Sequence, residues 1–329
     1  MSFVLITGAT GFIGRALVRR LSGEGMTLRL LVRRPDQAAG LTPPNTTLIQ
    51  GSLEDAETLR RAVSGCGAVY HLAALARGWA EDPSEFDRAN VAGTRNLLAA
   101  AAEAGVRRVV HTSTVMAIGP TDEVVADETF VTPFPALSDY QRTKREAERV
   151  VDEFVKKGLE VVTVSPSLVF GPSSSTRRTS FNRFLQDFIR GRPVVIPGDG
   201  TQRLNLVYLE DVVEGHLLAM AKGRSGERYI LGGENVGMVE LADRVNRLMG
   251  TTRRLHHIPF SMAKAVGAIE EVRSGLFGVE PLITRRGVEV YRHSWTYSSE
   301  KARRELGYHP TPLTDSLQMT IRWLQGNKN

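Results

Sequence analysis

The sequence predicts an α/β chain, with a doubly wound parallel sheet and a smaller, mixed C-terminal unit that completes the molecule. Three observations lead there. The first half alternates short apolar, β-branched runs with segments of helical period. A glycine-rich turn joins the first such run to the first helical stretch. After Pro166 the texture changes to Gly, Pro and Ser punctuation. At 329 residues the chain exceeds the length at which one core usually keeps growing, so a large unit with a smaller companion is expected.

Taken in order, strands are predicted at Phe3-Thr7, Thr27-Val32, Thr47-Gln50, Ala68-His71, Arg108-Ser113 and Glu160-Ser165. Helical stretches begin near Gly11, Glu54, Asn90 and Tyr140; in the third, Val91, Leu97, Leu98 and Ala102 recur at helical spacing. Gly171-Pro172, Ser173-Ser174-Ser175 and Gly191-Arg192-Pro193 then punctuate the chain before a strand-like Asn205-Leu209. Asp211-Met220, Met238-Met249 and Ser298-Leu306 read as helices, and Arg228-Leu231 as a short strand returning to the main sheet. The expected boundary is discontinuous. Residues 1–165 with about 204–232 form the dinucleotide-binding part, and about 166–203 with 233–329 the substrate part. No repeat of solenoid period is present.

Composition narrows the class. Apolar residues make up 42% and charged residues 24%, an ordinary globular balance rather than a disordered or fibrous one. The single cysteine, Cys66, forms no internal disulfide, and the chain opens almost at once on an apolar strand without a signal-peptide pattern, so a cytoplasmic location is expected. No apolar stretch approaches the roughly 18–20 residues that span a bilayer, so membrane insertion is not expected. The formal charge of +6 is spread over scattered basic pairs, with no nucleic-acid module, and identifies no nucleic-acid partner.

Thr7-Gly8-Ala9-Thr10-Gly11-Phe12-Ile13-Gly14 follows a strand and opens a helix. In that setting Gly8 permits the tight turn, Gly11 lets backbone approach a pyrophosphate, and Gly14 lets helix and strand pack closely. Amide groups at the helix start then face the phosphates. Thr10, Phe12 and Ile13 complete this candidate cradle. The end of the second strand reads Val32-Arg33-Arg34, with no carboxylate to accept from an adenosine ribose. A planar guanidinium there suits a 2'-phosphate, so Arg33 favours NADP(H), with NAD the alternative and solvated arginines the plain reading.

Tyr140 and Lys144 stand at i, i+4 on a predicted helix, which places phenol and ammonium on one face. A free tyrosine ionises near a pKa of about 10, and a neighbouring cation favours phenolate. Ser113 and Thr114 end a predicted strand at the edge where ligands bind in open α/β sheets; their hydroxyls either bond a substrate oxygen or cap the strand end. His256-His257 lacks a second ligand cluster, so no metal is expected. Phe181, Phe184 and Phe188 have helical spacing and belong to core or pocket wall.

The glycine turn, His71-Leu72-Ala73-Ala74, Asn90-Val91-Ala92-Gly93-Thr94, His111-Thr112-Ser113-Thr114, Tyr140 with Lys144, and Pro166-Ser167-Leu168-Val169-Phe170-Gly171-Pro172 together resemble the extended short-chain dehydrogenases/reductases. Glu214-Gly215-His216-Leu217-Leu218 and Gly226-Glu227-Arg228-Tyr229-Ile230-Leu231-Gly232-Gly233 are most similar to the dihydroflavonol-4-reductase-like group, which includes hopanoid-associated sugar epimerases. The resemblance implies a Rossmann sheet, Tyr140 as acid/base, Lys144 as its electrostatic partner, and Thr114 as the accompanying hydroxyl with Ser113 beside it. It implies that Ala73 and Ala74 line the cofactor and that the Pro166 segment, with Val169, approaches the nicotinamide. Asn90 either supports the active-site architecture or caps a helix. A small-molecule carbonyl or alcohol is the implied substrate, and a monomer or homodimer the implied assembly.

Two departures from the family pattern matter. Gly51-Ser52-Leu53 replaces the frequent Gly-Asp-Leu, so Ser52 and Leu53 meet the adenine without the usual carboxylate. Nucleotide-sugar members commonly carry an arginine seven residues before the position of Asp211; here that position is Leu204, with Arg203 adjacent and out of register. Carbonyl reduction with NADP(H) is the leading expectation. Redox-neutral epimerisation through a keto intermediate is its rival, and a non-catalytic NADP(H) sensor the reading from another class.

Overall fold

The structure is a computed structural model that describes residues 3–173 and 180–326. The end of the serine run and the Arg177-Arg178 pair lie outside the described residues. The first half contains β1 (Phe3–Thr7), α1 (Phe12–Gly23), β2 (Leu28–Val32), β3 (Thr46–Gln50), α2 (Ala56–Val63) and β4 (Cys66–His71). It continues through α3 (Ser84–Phe86), a π-helical segment Asp87–Ala92, α4 (Gly93–Glu103), β5 (Arg108–Thr112), α5 (Val115–Ile118), α6 (Asp139–Lys156) and β6 (Val161–Pro166). Beyond it come β7 (Leu168–Phe170), α7 (Ser180–Ile189), β8 (Val194–Pro197), β9 (Arg203–Tyr208), α8 (Leu209–Lys222) and β10 (Arg228–Leu231). The last part holds β11 (Glu234–Gly237), α9 (Met238–Met249), β12 (Leu255–Ile258), α10 (Phe260–Phe277), α11 (Arg285–Val290), α12 (Glu300–Leu306) and α13 (Leu313–Gly326).

Seven strands form one sheet in the order β10-β6-β5-β4-β1-β2-β3. All its pairs are parallel, as the near-continuous apolar runs require. Strands buried on both faces are held from both sides. Leu17, Leu28, Leu30, Val213 and Leu306 pack the face covered by α1, α8 and α12. Leu59, Leu97, Val150 and Phe154 pack the face covered by α2, α4 and α6. Each such side chain contributes roughly 1.5–3 kcal/mol on burial, so the strand ends are fixed by the core rather than by their loops.

The strand order reverses between β1 and β4, the switch point at which open sheets of this type bind ligands beyond the carboxyl ends of their strands. Thr7, Val32, His71, Thr112 and Pro166 all lie at that edge. A second sheet, β11-β9-β7, is mixed, with β11 antiparallel and β7 parallel to β9. Read from the sequence with the first unit, β9 pairs in this second sheet, while α8 and β10 stay with the first. Phe181 and Phe188 are buried in the smaller core with Phe170, and Phe184 stacks between them at ring distances of 5.6 and 5.9 Å.

Candidate active site

The phosphate cradle begins where β1 ends. Gly8 has a φ of +73°, and a Cβ there would lie 2.6 Å from the Ala73 amide nitrogen. A Cβ on Gly14 would overlap the Gly8 carbonyl oxygen. Only glycine fits either position, and Gly11 between them is the extended residue that caps α1. Thr10, Phe12 and Ile13 follow the same turn; Phe12 and Ile13 pack against the core from the first turn of α1. This backbone, open at the N-terminus of a helix, fits the pyrophosphate of a dinucleotide.

Around it the strand ends are tied together. Thr7 Oγ1 accepts from the Ala73 amide at 3.2 Å and meets His71 Nδ1 at 2.8 Å. His71 Nε2 meets Thr94 Oγ1 at 3.0 Å, and Thr94 donates onward to the Asn90 carbonyl at 2.6 Å. The direction of these donors makes Nε2 the protonated nitrogen. Burial holds His71 down to about 3, so the ring is neutral. Ala73 is half-buried beside Gly8, and Ala74 is exposed at the rim.

Arg33 and Arg34 stand exposed just past β2. Arg33 makes no ion pair or hydrogen bond among the described residues. One neighbour was not read from the sequence. Arg15, one turn into α1, donates to the Thr10 carbonyl at 3.2 Å and the Gln37 carbonyl at 2.6 Å. Arg34 donates to the Gln37 carboxamide when that amide is oriented to accept. The signal for Arg15 was its place directly after Gly14, in the helix that the glycine turn opens. Ser52 Oγ accepts from the Glu54 amide at 3.2 Å, and Leu53 packs on Gly93 while its carbonyl accepts from Asn96 at 2.9 Å.

The catalytic candidates converge at the end of β5 and the start of α6. Ser138 caps α6 by accepting from the Gln141 amide at 3.1 Å, and Gln141 Oε1 accepts from the Leu137 amide at 2.7 Å. This reciprocal cap fixes the turn that carries Tyr140. Burial pushes the half-buried Tyr140 phenol up to about 12, opposed by a hydrogen bond with Thr114. Lys144 is fully buried, and its Nζ donates to the Thr112 carbonyl at 2.9 Å. Burial brings its ammonium down to about 8, against the pull of Glu148. With His71 and the equally buried His111 held neutral, Lys144 carries the positive charge of this centre.

Ser113 and Thr114 diverge. Thr114 is half-buried and its Oγ1 accepts from the Met116 amide at 3.2 Å, capping α5 while leaving its proton to donate. Ser113 turns the other way, its hydroxyl donating to Glu148 Oε1 at 2.5 Å in a buried cluster closed by Arg228. The Ser113 side chain therefore serves the far side of the strand. Asn90 caps no helix: it sits within the π-helical segment, where Oδ1 accepts from the Leu75 amide at 2.7 Å and Nδ2 donates to Thr143 at 3.0 Å. It joins the loop after β4 to α6. Pro166 is buried at the end of β6 and Val169 half-buried in β7, beside the same edge.

Residues 4–232 match the model of the NAD dependent epimerase/dehydratase family. The chain belongs to that family. A Synechocystis protein provisionally named dihydroflavonol 4-reductase is 32% identical over 328 residues, covering 98% of this chain and 94% of the relative. A Stigmatella aurantiaca ketoreductase, named for 4-hydroxy-2-methyl-3-oxo-4-farnesyl-3,4-dihydroquinoline-1-oxide, is 34% identical over 311 residues, covering 92% and 90%. DesIV of Streptomyces venezuelae, a dTDP-glucose 4,6-dehydratase solved with NAD and TYD bound, has a TM-score of 0.80 at 26% identity, covering 99% of this chain and 98% of that one. The Rossmann sheet and the dihydroflavonol-reductase-like kinship expected from sequence are both found. This member of the family is an NAD(P)-dependent enzyme of CH-OH and carbonyl chemistry. Among its described residues no helix is long and apolar enough to cross a membrane.

Proposed function

We propose that this enzyme reduces a carbonyl group on a largely apolar substrate to a secondary alcohol, using NADPH, with Tyr140 as the proton donor. The observation that carries the reading is the pairing of a phenol kept protonated by burial with a buried ammonium on the same face of α6. When bound, the nicotinamide supplies a hydride to the carbonyl carbon. Tyr140 gives its proton to the carbonyl oxygen, so hydride and proton together make the CH-OH group. Thr114 donates a hydrogen bond where charge develops on that oxygen. Lys144, fixed on the Thr112 carbonyl, offsets the negative charge left on the phenol.

Arg33, exposed and unpaired at the end of β2, supports NADP(H) over NAD(H). The apolar substrate rests on the farnesyl quinoline in the name of the Stigmatella relative. Arg203, beside the expected diphosphate-clamp position, supports the same choice. Its guanidinium donates to the Asn235 carbonyl at 2.7 Å and faces Glu240 at 4.0 Å, while Leu204 fills the clamp register and packs near Trp295.

The test is Tyr140→Phe, assayed for NADPH oxidation across chemically diverse ketones and aldehydes with mass detection of products. Turnover is expected to fall by about 10²–10⁴-fold with NADPH affinity unchanged. Near-normal turnover refutes the role of Tyr140. Product formed by the unaltered enzyme without net NADPH consumption replaces reduction with epimerisation.

A further inference from the structure

Three arginines stand around the crevice between β1 and β2 without a carboxylate partner among the described residues: Arg15 near the start of α1, and Arg33 and Arg34 just past β2. Arg33 and Arg34 are exposed and Arg15 is half-buried. Elsewhere the arginines of this chain pair readily with carboxylates, as Arg20 does with Glu24 and Arg95 with Glu153. On the 3-10 turn that follows β2, Pro35–Ala38, Asp36 is the one carboxylate set against these three cations. Cations gathered in a crevice without matching counter-charges raise the local concentration of anions there.

The chain itself holds Arg15 in place. Nε donates to the Thr10 carbonyl at 3.2 Å and Nη2 to the Gln37 carbonyl at 2.6 Å. Thr10 belongs to the glycine turn and Gln37 to the turn after β2, so one guanidinium bridges the two loops that wall the crevice. Both loops are anchored. Gly11 donates to the Gly8 carbonyl at 2.9 Å, and Ala38 and Leu41 are buried in the core beneath the second loop. Gln37 also holds Arg34, whose guanidinium donates to its side-chain oxygen. Nη1 of Arg15 and the whole Arg33 guanidinium meet no acceptor among the described residues.

We propose that Arg15 is the fixed half of a two-arginine clamp, with the exposed Arg33 as the other half, that selects a dinucleotide bearing a 2'-phosphate on its adenosine ribose. The inference rests on the preference for NADP(H) proposed above and names a further residue that decides it. With the pyrophosphate on the Gly8–Gly14 turn and the nicotinamide toward Tyr140 and β5, the adenosine ribose falls on the opposite side, over β2. The Arg15 bridge spans that place. A phosphate monoester brings negative charge and strong acceptor oxygens to it, whereas the ribose hydroxyl of NAD(H) brings neither charge nor a fork to match. Because two of its N–H groups are already engaged on backbone carbonyls, Arg15 loses less side-chain freedom on meeting the phosphate than an unrestrained arginine does. Lysine would keep the charge but lacks the planar fork that grips both loops and a phosphate at once.

The clamp is read by binding, without turnover. The unaltered chain, Arg15→Met and Arg15→Lys are titrated calorimetrically with NADPH and NADH, and with the fragments adenosine 2',5'-bisphosphate and 5'-AMP. Arg15→Met is expected to weaken NADPH and the bisphosphate by about 10–100-fold, while NADH and 5'-AMP stay within a few-fold. Retained NADH binding reports that the variant is folded. Arg15→Lys is expected to recover part of the NADPH affinity and to leave NADH unchanged. If Arg15→Met binds neither dinucleotide, Arg15→Lys decides: its preference for NADPH over NADH falls, or the inference fails. An unaltered chain that binds NADH as tightly as NADPH overturns the proposed cofactor preference, and the clamp with it. An unaltered chain that prefers NADPH, beside an Arg15→Met variant that keeps that preference, overturns the clamp alone. So does an equal loss of NADPH and NADH in both variants, because Arg15 then supports the glycine turn through Thr10 and not the phosphate.

Discussion

Replacing Lys144 with Met should remove turnover and, at neutral pH, remove a burden on folding. Lys144 is 2% exposed, and burial lowers its ammonium from 10.5 to about 8. Between those two values the unfolded chain holds a proton that the folded chain has released. Wild-type stability therefore rises with pH across this window, because the unfolded state binds more protons there. A difference of about 2.5 in pKa, at about 1.36 kcal/mol each, amounts to about 3 kcal/mol. Methionine has no such proton and lacks the rise. Its stability relative to wild type should accordingly decline by about 3 kcal/mol as pH is raised from about 7 to about 10.5.

Urea unfolding of both proteins at a series of pH values, without added cofactor, measures the trend. The lost hydrogen bond to the Thr112 carbonyl, worth about 1.5–3 kcal/mol, offsets the gain at each pH but contributes little to the slope. The comparison also cancels other titrating groups. A stability difference that stays flat from pH 7 to 10.5 would show that Lys144 is not held in an environment that disfavours its charge, and the electrostatic account of the centre would fail.

Two further outcomes follow from the same geometry. Arg33→Glu should weaken NADPH binding by about 10–100-fold, the worth of a charge-assisted hydrogen bond, while leaving NADH binding within a few-fold; calorimetric titration with both decides, and equal losses would remove Arg33 from the phosphate. Turnover should fall above about pH 8 as Lys144 loses its proton, and Glu148→Gln should move that limb to lower pH, since Glu148 raises the lysine's affinity for protons. A limb that does not move in the pH-rate profile would confine Glu148 to a structural role with Ser113 and Arg228.

The first half of the fold was legible because its signals are local. Each expected strand of the main sheet falls within two residues of its observed bounds, and the Gly8 turn is written in a backbone angle that only glycine adopts freely. The second half was harder for a physical reason. Strands β7, β8, β11 and β12 have only three or four residues, too few for a period to emerge, and α10 has apolar residues on both faces, which erases the amphipathic signature. At the site, Ser113 and Thr114 sit next to each other at a strand end, where successive side chains point to opposite faces. Alternation alone assigns one of them away from the ligand edge, but only the distant Glu148 identifies which. Asn90 is a residue type that suits a cap, and its actual partners, Leu75 and Thr143, are brought to it by tertiary packing.

The same division between local and distant partners explains how the site is built. Tyr140, Lys144 and Glu148 follow one another at successive helical turns, so one face of α6 carries a phenol, an ammonium and a carboxylate. Tyr140 is half-buried and Lys144 and Glu148 are buried, and each is held by a different residue at or just past the end of β5: Thr114 at the phenol, the Thr112 carbonyl at the ammonium, Ser113 at the carboxylate. A strand end fixed from both sheet faces thus sets three side chains of one helix at once.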